Sequence, residues 1–238
     1  MHKGASTFIA DELARYLVAG EHYDKFRAVG SMRIRGRETA DIKGWPQRGL
    51  VGVRIYPAEL RDLFAENDRF RSFADNAALV FVQRDPRDAA VSLFYSKAFS
   101  HTTRVQNKKR FVEERKQMQE MSPTEGVKEF TARPAIAEFS KLHDLHEEHG
   151  GILLSYEDLV TNSDDWFEQV GRLADWPDDL IDDVKANFTD SFQPPDTQDP
   201  LKHKRRITPG NWKDVFDDEL ERLFERTVGD RLRANGYT

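Results

Sequence analysis

The stretch that decides the fold is Leu79-Val80-Phe81-Val82-Gln83-Arg84-Asp85-Pro86-Arg87-Asp88, continued by Ala89-Ala90-Val91-Ser92-Leu93-Phe94-Tyr95-Ser96. Residues 78–83 form a short, continuous apolar run, the pattern of a strand buried on both faces of a parallel sheet. Residues 86–99 turn helical, with Ala90, Val91, Phe94 and Tyr95 at helical spacing. A strand followed at once by a helix delivers Arg84 to the C-terminal edge of a sheet, where open α/β sheets bind ligands. Ser92 falls two helical turns further on, on a face that can return toward Arg84. A guanidinium fork beside a hydroxyl is phosphate-binding chemistry. The competing reading is a surface Arg–Asp ion-pair cluster, which fits Arg87 and Asp88 better than it fits Arg84.

Working outward, helical and strand patterns alternate, as in a layered α/β domain. Residues 7–18 carry Phe8, Ile9, Leu13, Tyr16 and Leu17 at helical spacing. Residues 57–73 predict one helix, opened by Pro57 and turning Leu60, Leu63 and Phe64 inward. Ser122-Pro123-Thr124-Glu125 is a capping box with proline at the first helical position. Gly150-Gly151 ends a later helix, and residues 152–155 are a second buried strand. Residues 217–234 are a C-terminal helix closed by Gly236. The charged, weakly apolar segment 104–121 reads as a mobile lid or a projecting helix. Repeats are absent, and 238 residues suggest one domain, 1–238, with a lid-like insertion at 101–121.

Composition sets the outer limits. With no cysteine there is no disulfide framework, thiolate metal site or cysteine nucleophile. The longest apolar run, at 77–82, is far short of the ~20 residues that cross a bilayer. No apolar stretch near Met1 resembles a signal peptide, so the reading is a soluble, cytoplasmic protein without a membrane partner. Residues 157–199 hold 13 acidic and 2 basic residues in a chain of net charge −6, so the remainder is positive. Its basic excess gathers at 20–56, 101–116 and 201–213. Such stretches are either solvated surface or parts of one site for a polyanionic ligand. Nucleic acid suits that site poorly, because the chain is acidic and the basic runs lack interleaved aromatic residues.

His2-Lys3-Gly4-Ala5-Ser6-Thr7-Phe8 runs directly into a helix. Small residues let a ligand approach the backbone, and the first helical amides lack intrahelical partners. An anion there gains about 0.3–1 kcal/mol from the helix dipole. Lys3 adds a full charge, and Ser6 and Thr7 add hydroxyls. The bland reading is an ordinary capped helix start. The segment is not a Walker A loop, since Lys3 precedes the small residues instead of following them. That weighs against a phosphotransferase of the common kind.

Four segments together resemble the sulfotransferases that use 3′-phosphoadenosine 5′-phosphosulfate (PAPS). Lys3 to Phe8 resembles the family's P-K-x-G-[ST]-[ST]-W loop, and Arg84 to Ser96 its R-x-P-R-D-x-x-V-S-x-x-x-S segment. Ile152-Leu153-Leu154-Ser155-Tyr156-Glu157-Asp158-Leu159 is similar to its strand and Y-E-D-L turn. Arg205-Arg206-Ile207-Thr208-Pro209-Gly210-Asn211-Trp212-Lys213 is similar to R-K-G-x-x-G-D-W-K. The four occur in family order along nearly the whole chain.

The resemblance implies a three-layer, P-loop-NTPase-like α/β/α sandwich around a central parallel sheet. It implies that Lys3 and the backbone of Gly4, Ala5, Ser6 and Thr7 hold the 5′-phosphosulfate. Arg84 and Ser92 would bind the 3′-phosphate, with Arg205, Arg206 and the backbone at Ile207 closing over it. Phe8 stands where the family stacks tryptophan on adenine, and Tyr156 would line the base pocket; the alternative for Tyr156 is a core tyrosine. The implied reaction moves a sulfuryl group to an acceptor hydroxyl or amine, on a small molecule or glycan, without a metal. It leaves adenosine 3′,5′-bisphosphate (PAP).

Two departures stand out. The family has an apolar strand before the loop, whereas this chain starts just before Lys3, which predicts that the natural protein extends upstream or that its start was misassigned or trimmed. The family's K-x-H-x-P segment aligns with Val53-Arg54-Ile55-Tyr56-Pro57, placing Ile55 where the catalytic histidine should be. Glu21, His22 and His101 are the alternative bases, with His101 preferred because it follows the Arg84–Ser92 helix. The histidines at 143, 146 and 149 share one helix face, but Asp144, Glu147 and Glu148 beside them fit a solvated face better than a metal site. Other readings are a nucleotide-dependent phosphotransferase and a non-catalytic module that binds adenosine bisphosphate.

Overall fold

The structure, a computed structural model, describes residues 8–23, 26–30, 50–54, 57–100, 108–189 and 208–238. The chain packs as two compact units, Met1–Gln83 with Lys141–Leu153, and Arg84–Ser140 with Leu154–Thr238.

In the first unit a π-helical turn, Phe8–Leu13, runs into α1 (Ala14–Ala19). Strands β1 (Phe26–Gly30) and β2 (Leu50–Arg54) pair in parallel, with Phe26 opposite Leu50 and Gly30 opposite Arg54. The segment expected as one helix over 57–73 is two, α2 (Pro57–Glu66) and α3 (Asp68–Ala74). Asn67 separates them: its backbone is extended and its side chain accepts the Phe70 N–H at 3.0 Å, an N-cap in the middle of a continuous apolar pattern. Phe64 and Phe70 then meet edge to face, with centroids 4.8 Å apart. They share a core with Leu63, Phe81, Leu142 and Leu145.

The core strand is β3 (Val80–Gln83), which pairs with β4 (Ile152–Ser155). Ile152 N–H donates to Leu79 O at 3.0 Å. Gly151 makes this approach feasible: its φ is +94°, and a Cβ there would lie 2.5 Å from Leu79 O. The glycine pair thus ends α7 (Ala132–His149) as expected and also lets the chain come close to β3.

In the second unit, α4 (Pro86–Tyr95) continues as a π turn, Ser96–Ser100. Helix α5 (Lys108–Glu120) covers most of the segment expected to project. It is instead tied down: Arg115 Nε donates to Lys97 O at 2.9 Å, Gln119 Nε2 to Ala98 O at 2.7 Å, and Met118 is 1% exposed. The capping box at Ser122 forms with both reciprocal bonds and opens α6 (Pro123–Gly126), which leads through a π turn, Val127–Thr131, into α7.

After β4 come α8 (Tyr156–Thr161), α9 (Ser163–Leu173) and α10 (Asp178–Phe188). The last two carry much of the acidic excess on their outer faces, while Trp166, Phe167, Ile181 and Val184 are buried. Glu168 pairs there with Arg172 and Lys185, so this stretch is a solvated amphipathic face. A 3₁₀ turn, Asn211–Asp214, and α11 (Asp218–Ala234), capped by Asp217, complete the unit.

Candidate functional site

The site grows from the end of β3. Asp85 caps α4 by accepting the Arg87 N–H at 2.8 Å, and Pro86 occupies the first helical turn. A carboxylate at an N-cap and a proline needing no donor make a strand-to-helix change within two residues. The result is a row of buried charge: Arg84 is 4% exposed and Asp88 1%, with Asp85 and Arg87 also buried. Burying such groups is costly unless each finds partners.

Those partners come from three distant segments. The Arg84 guanidinium lies over the Tyr156 ring, 4.5 Å from its centroid. Arg87 pairs with Asp85 through Nη2–Oδ2 at 2.7 Å and Nε–Oδ1 at 3.0 Å, and stacks 4.0 Å from the Trp212 ring. Asp88 accepts the Gly210 N–H at 2.7 Å with one oxygen and the Trp212 N–H at 2.9 Å with the other. Gly210 is needed in that turn, since its φ is +87°. Glu157 accepts the Asp85 N–H at 3.0 Å and the Tyr237 hydroxyl at 3.0 Å.

Burial dominates the electrostatics. Desolvation pushes Glu157 up to about 7, although the Asp85 N–H, the Arg84 charge and the Tyr237 hydroxyl all favour its ionised form. Asp88 is raised for the same reason, against Arg84 and its two backbone amides. Tyr156 and Tyr237 are raised as well, by desolvation first and then, for Tyr237, by the Glu157 charge.

The expected site residues divide clearly. Arg84 and Tyr156 are brought together, and Ser92 lies half-buried on α4, the helix that starts beside Arg84. Phe8 is buried in the first unit at the start of its π turn. Lys3, Gly4, Ala5, Ser6, Thr7, His101, Arg205, Arg206 and Ile207 lie outside the described residues. Among the alternative bases, Glu21 is exposed and in the left-handed region at φ 60°, and His22 follows it partly buried.

The competing reading of Arg87 and Asp88 as a surface ion pair does not hold: Arg87 pairs with Asp85, Asp88 accepts the Gly210 and Trp212 amides, and Asp85, Arg87 and Asp88 are buried. Sequence reasoning also missed Asp85, Glu157, Trp212 and Tyr237. The signal was present in part, since a run of alternating charges directly after a buried strand has little solvent to face.

The histidine face of α7 is occupied by packing. His143 Nε2 lies 2.8 Å from Gln83 Oε1, His146 Nε2 3.3 Å from Gly151 O, and His149 stacks on Phe64 at 3.6 Å. Among the described residues, no group of three or more His, Asp or Glu is placed to hold a metal ion, and no helix is long and apolar enough to cross a membrane.

No curated protein matches the chain. Among solved structures it is similar to a mouse sulfotransferase, SULT7A1, crystallised in complex with PAP; the TM-score is 0.60 at 12% identity, over 97% of this chain and 81% of that one. A likeness at that identity speaks to fold, and it agrees with the α/β fold expected from the alternating pattern. The family model described as "Sulfotransferase domain" matches residues 68–236, a span that holds the strand end at Arg84, the Tyr156–Glu157 turn and the 210–212 backbone clasped by Asp88. With well over half of its length inside that match, the chain belongs to the sulfotransferase family.

Proposed function

We propose that the chain transfers the sulfuryl group of PAPS to a hydroxyl or amine of a small-molecule or glycan acceptor. The observation that carries this reading is Arg84: a buried guanidinium at a strand end, stacked on Tyr156, at the head of a row of buried charge whose Asp85 and Asp88 are bound by Glu157 and by the Gly210 and Trp212 backbone. A fixed cation beside an aromatic ring suits a phosphate next to an adenine base. In this reading Ser92 joins Arg84 on the 3′-phosphate, and Arg205, Arg206 and the Ile207 backbone close over it. Phe8 and Tyr156 take the adenine.

At the other end of the nucleotide, Lys3 and the Gly4–Thr7 backbone hold the 5′-phosphosulfate. The acceptor oxygen or nitrogen attacks sulfur in line, and the bond from sulfur to the bridging oxygen breaks. Its electron pair stays on the 5′-phosphate, and Lys3 neutralises the charge building there. His101 takes the acceptor's proton, a contribution of about 10²–10⁴-fold. Positioning of the two reactants supplies more, roughly 7–11 kcal/mol of the barrier. The reading treats 1–238 as one catalytic domain and needs no metal, because cationic side chains meet the charge at both ends of the nucleotide.

The test is transfer of radiolabelled sulfate from PAPS onto a metabolite extract. Lys3→Ala is expected to cut turnover at least tenfold more than it weakens PAPS binding, the sign of an interaction made in the transition state. Equal losses in both would assign Lys3 to binding alone.

A further inference from the structure

Glu157 is a half-buried titratable group that the reaction above leaves without a task. Its Oε1 accepts the N–H of the Arg84–Asp85 peptide, the link by which the chain leaves β3, and its Oε2 accepts the Tyr237 hydroxyl. One carboxyl therefore joins the strand end that presents Arg84, the start of α8 and the C-terminal residues. Arg84 reaches it electrostatically and also covers the ring of the neighbouring Tyr156.

We propose that Glu157 is a positioning residue for nucleotide binding: it fixes the Arg84–Asp85 peptide, and its ionisation state sets how strongly Arg84 holds a phosphate. This rests on the PAPS reading of Arg84. The groups around it are Arg84 and Asp85 from the strand end, Tyr156 and Asp158 from its own helix, and Tyr237 from the C-terminal residues. Asp88 acts on the same cluster through Arg84 and Tyr156, and Arg87 is committed to Asp85. Arg84 is thus the cation over which an ionised Glu157 and a bound phosphate compete.

The direction follows from linkage. A phosphate on Arg84 disfavours the ionised carboxylate beside it, so the complex binds a proton more tightly than the empty protein does. Affinity is then full at pH values where Glu157 is already protonated and falls as pH rises through about 7. A one-unit rise of the Glu157 pKa on binding gives about a tenfold fall in affinity. Phosphate ionisation adds its own pH dependence, but equally in every variant.

The experiment is calorimetric titration of the full chain with PAP from pH 5.5 to 9, with ATP as control, on wild type, Glu157→Gln, Glu157→Ala and Tyr237→Phe. Glu157→Gln keeps an acceptor for the Asp85 N–H and mimics the protonated state. Wild type is expected to match it near pH 6 and to bind about tenfold more weakly by pH 8.5. Tyr237→Phe removes a donor to the ionised form, so its falling limb moves to higher pH. Glu157→Ala loses affinity at every pH; where it fails to fold, the Gln and Phe variants carry the test. Parallel profiles for wild type and Glu157→Gln, with PAP bound, would overturn the proposal and leave the PAPS reading standing. No PAP binding by wild type at any pH would overturn both.

Discussion

The histidine face of α7 and the charged row after β3 look equally suggestive of chemistry, yet the structure uses them in opposite ways. The three histidines share one face at regular spacing, and each is absorbed separately, by Gln83, by the Gly151 carbonyl and by Phe64. The charges from Arg84 to Asp88 have no such regularity, but residues 156–157, 210–212 and 237 all converge on them. Regular spacing on one helix only shows that residues share a face. Convergence of remote segments on buried charge is harder to arrange and costs more to maintain. That is why the candidate site is placed there.

Asp88→Ala breaks the convergence most severely. It leaves the Gly210 and Trp212 amides without their acceptor, at about 1–3 kcal/mol each when buried. Thermal unfolding is expected to show a Tm drop of roughly 5–15 °C, and Asp88→Asn, which keeps one acceptor oxygen, should recover part of it. A variant as stable as wild type would mean that the clasp contributes nothing.

Glu157 gives the next largest effect. Its folded pKa, about 7, lies above the ordinary 4.5, so the stabilising state is the protonated one. Its contribution is fully present below the unfolded value and is lost as pH rises through about 7. The Tm of Glu157→Gln minus that of wild type should therefore grow between pH 5 and 8. The growth corresponds to about 2–3 kcal/mol after allowance for partial solvent access. A constant difference across that range would show that Glu157 titrates normally.

The α7 face should respond more weakly. His143→Ala is expected to cost about 1–3 kcal/mol, through the lost partner of buried Gln83. His149→Ala should cost about 0.5–1.5 kcal/mol, through the stack on Phe64. Smallest of all, a chelator or added zinc should leave the Tm unchanged, since a metal held by the folded state would raise it by mass action. Stabilisation by zinc would restore the metal reading of that face.

Much of the fold was legible because its signals are local. The apolar run of β3, the capping box at Ser122, the Gly150-Gly151 stop and the caps of α11 each act within a few residues. The break at Asn67 was hidden by apolar spacing that continues across it, and α5 reads as projecting until its bonds to Lys97 O and Ala98 O are seen. Strands β1 and β2 contain glycine and arginine and lack the apolar runs of β3 and β4, so neither declared itself. At the candidate site, Arg84 and Tyr156 stand at strand ends in ordered motifs, and the structure brings them together. The partners of Asp88 were not legible, since they lie 122 and 124 residues away. Nor was the raised Glu157, whose shift comes from burial and has no sequence signature.

The most direct measurement is a titration of the full chain with PAP, alongside ATP, for wild type and Arg84→Ala. Wild type is expected to bind one PAP per chain saturably and ATP clearly more weakly, and Arg84→Ala to lose PAP affinity by at least tenfold. Equal affinity for ATP, or PAP binding that survives Arg84→Ala unchanged, would contradict the PAPS reading.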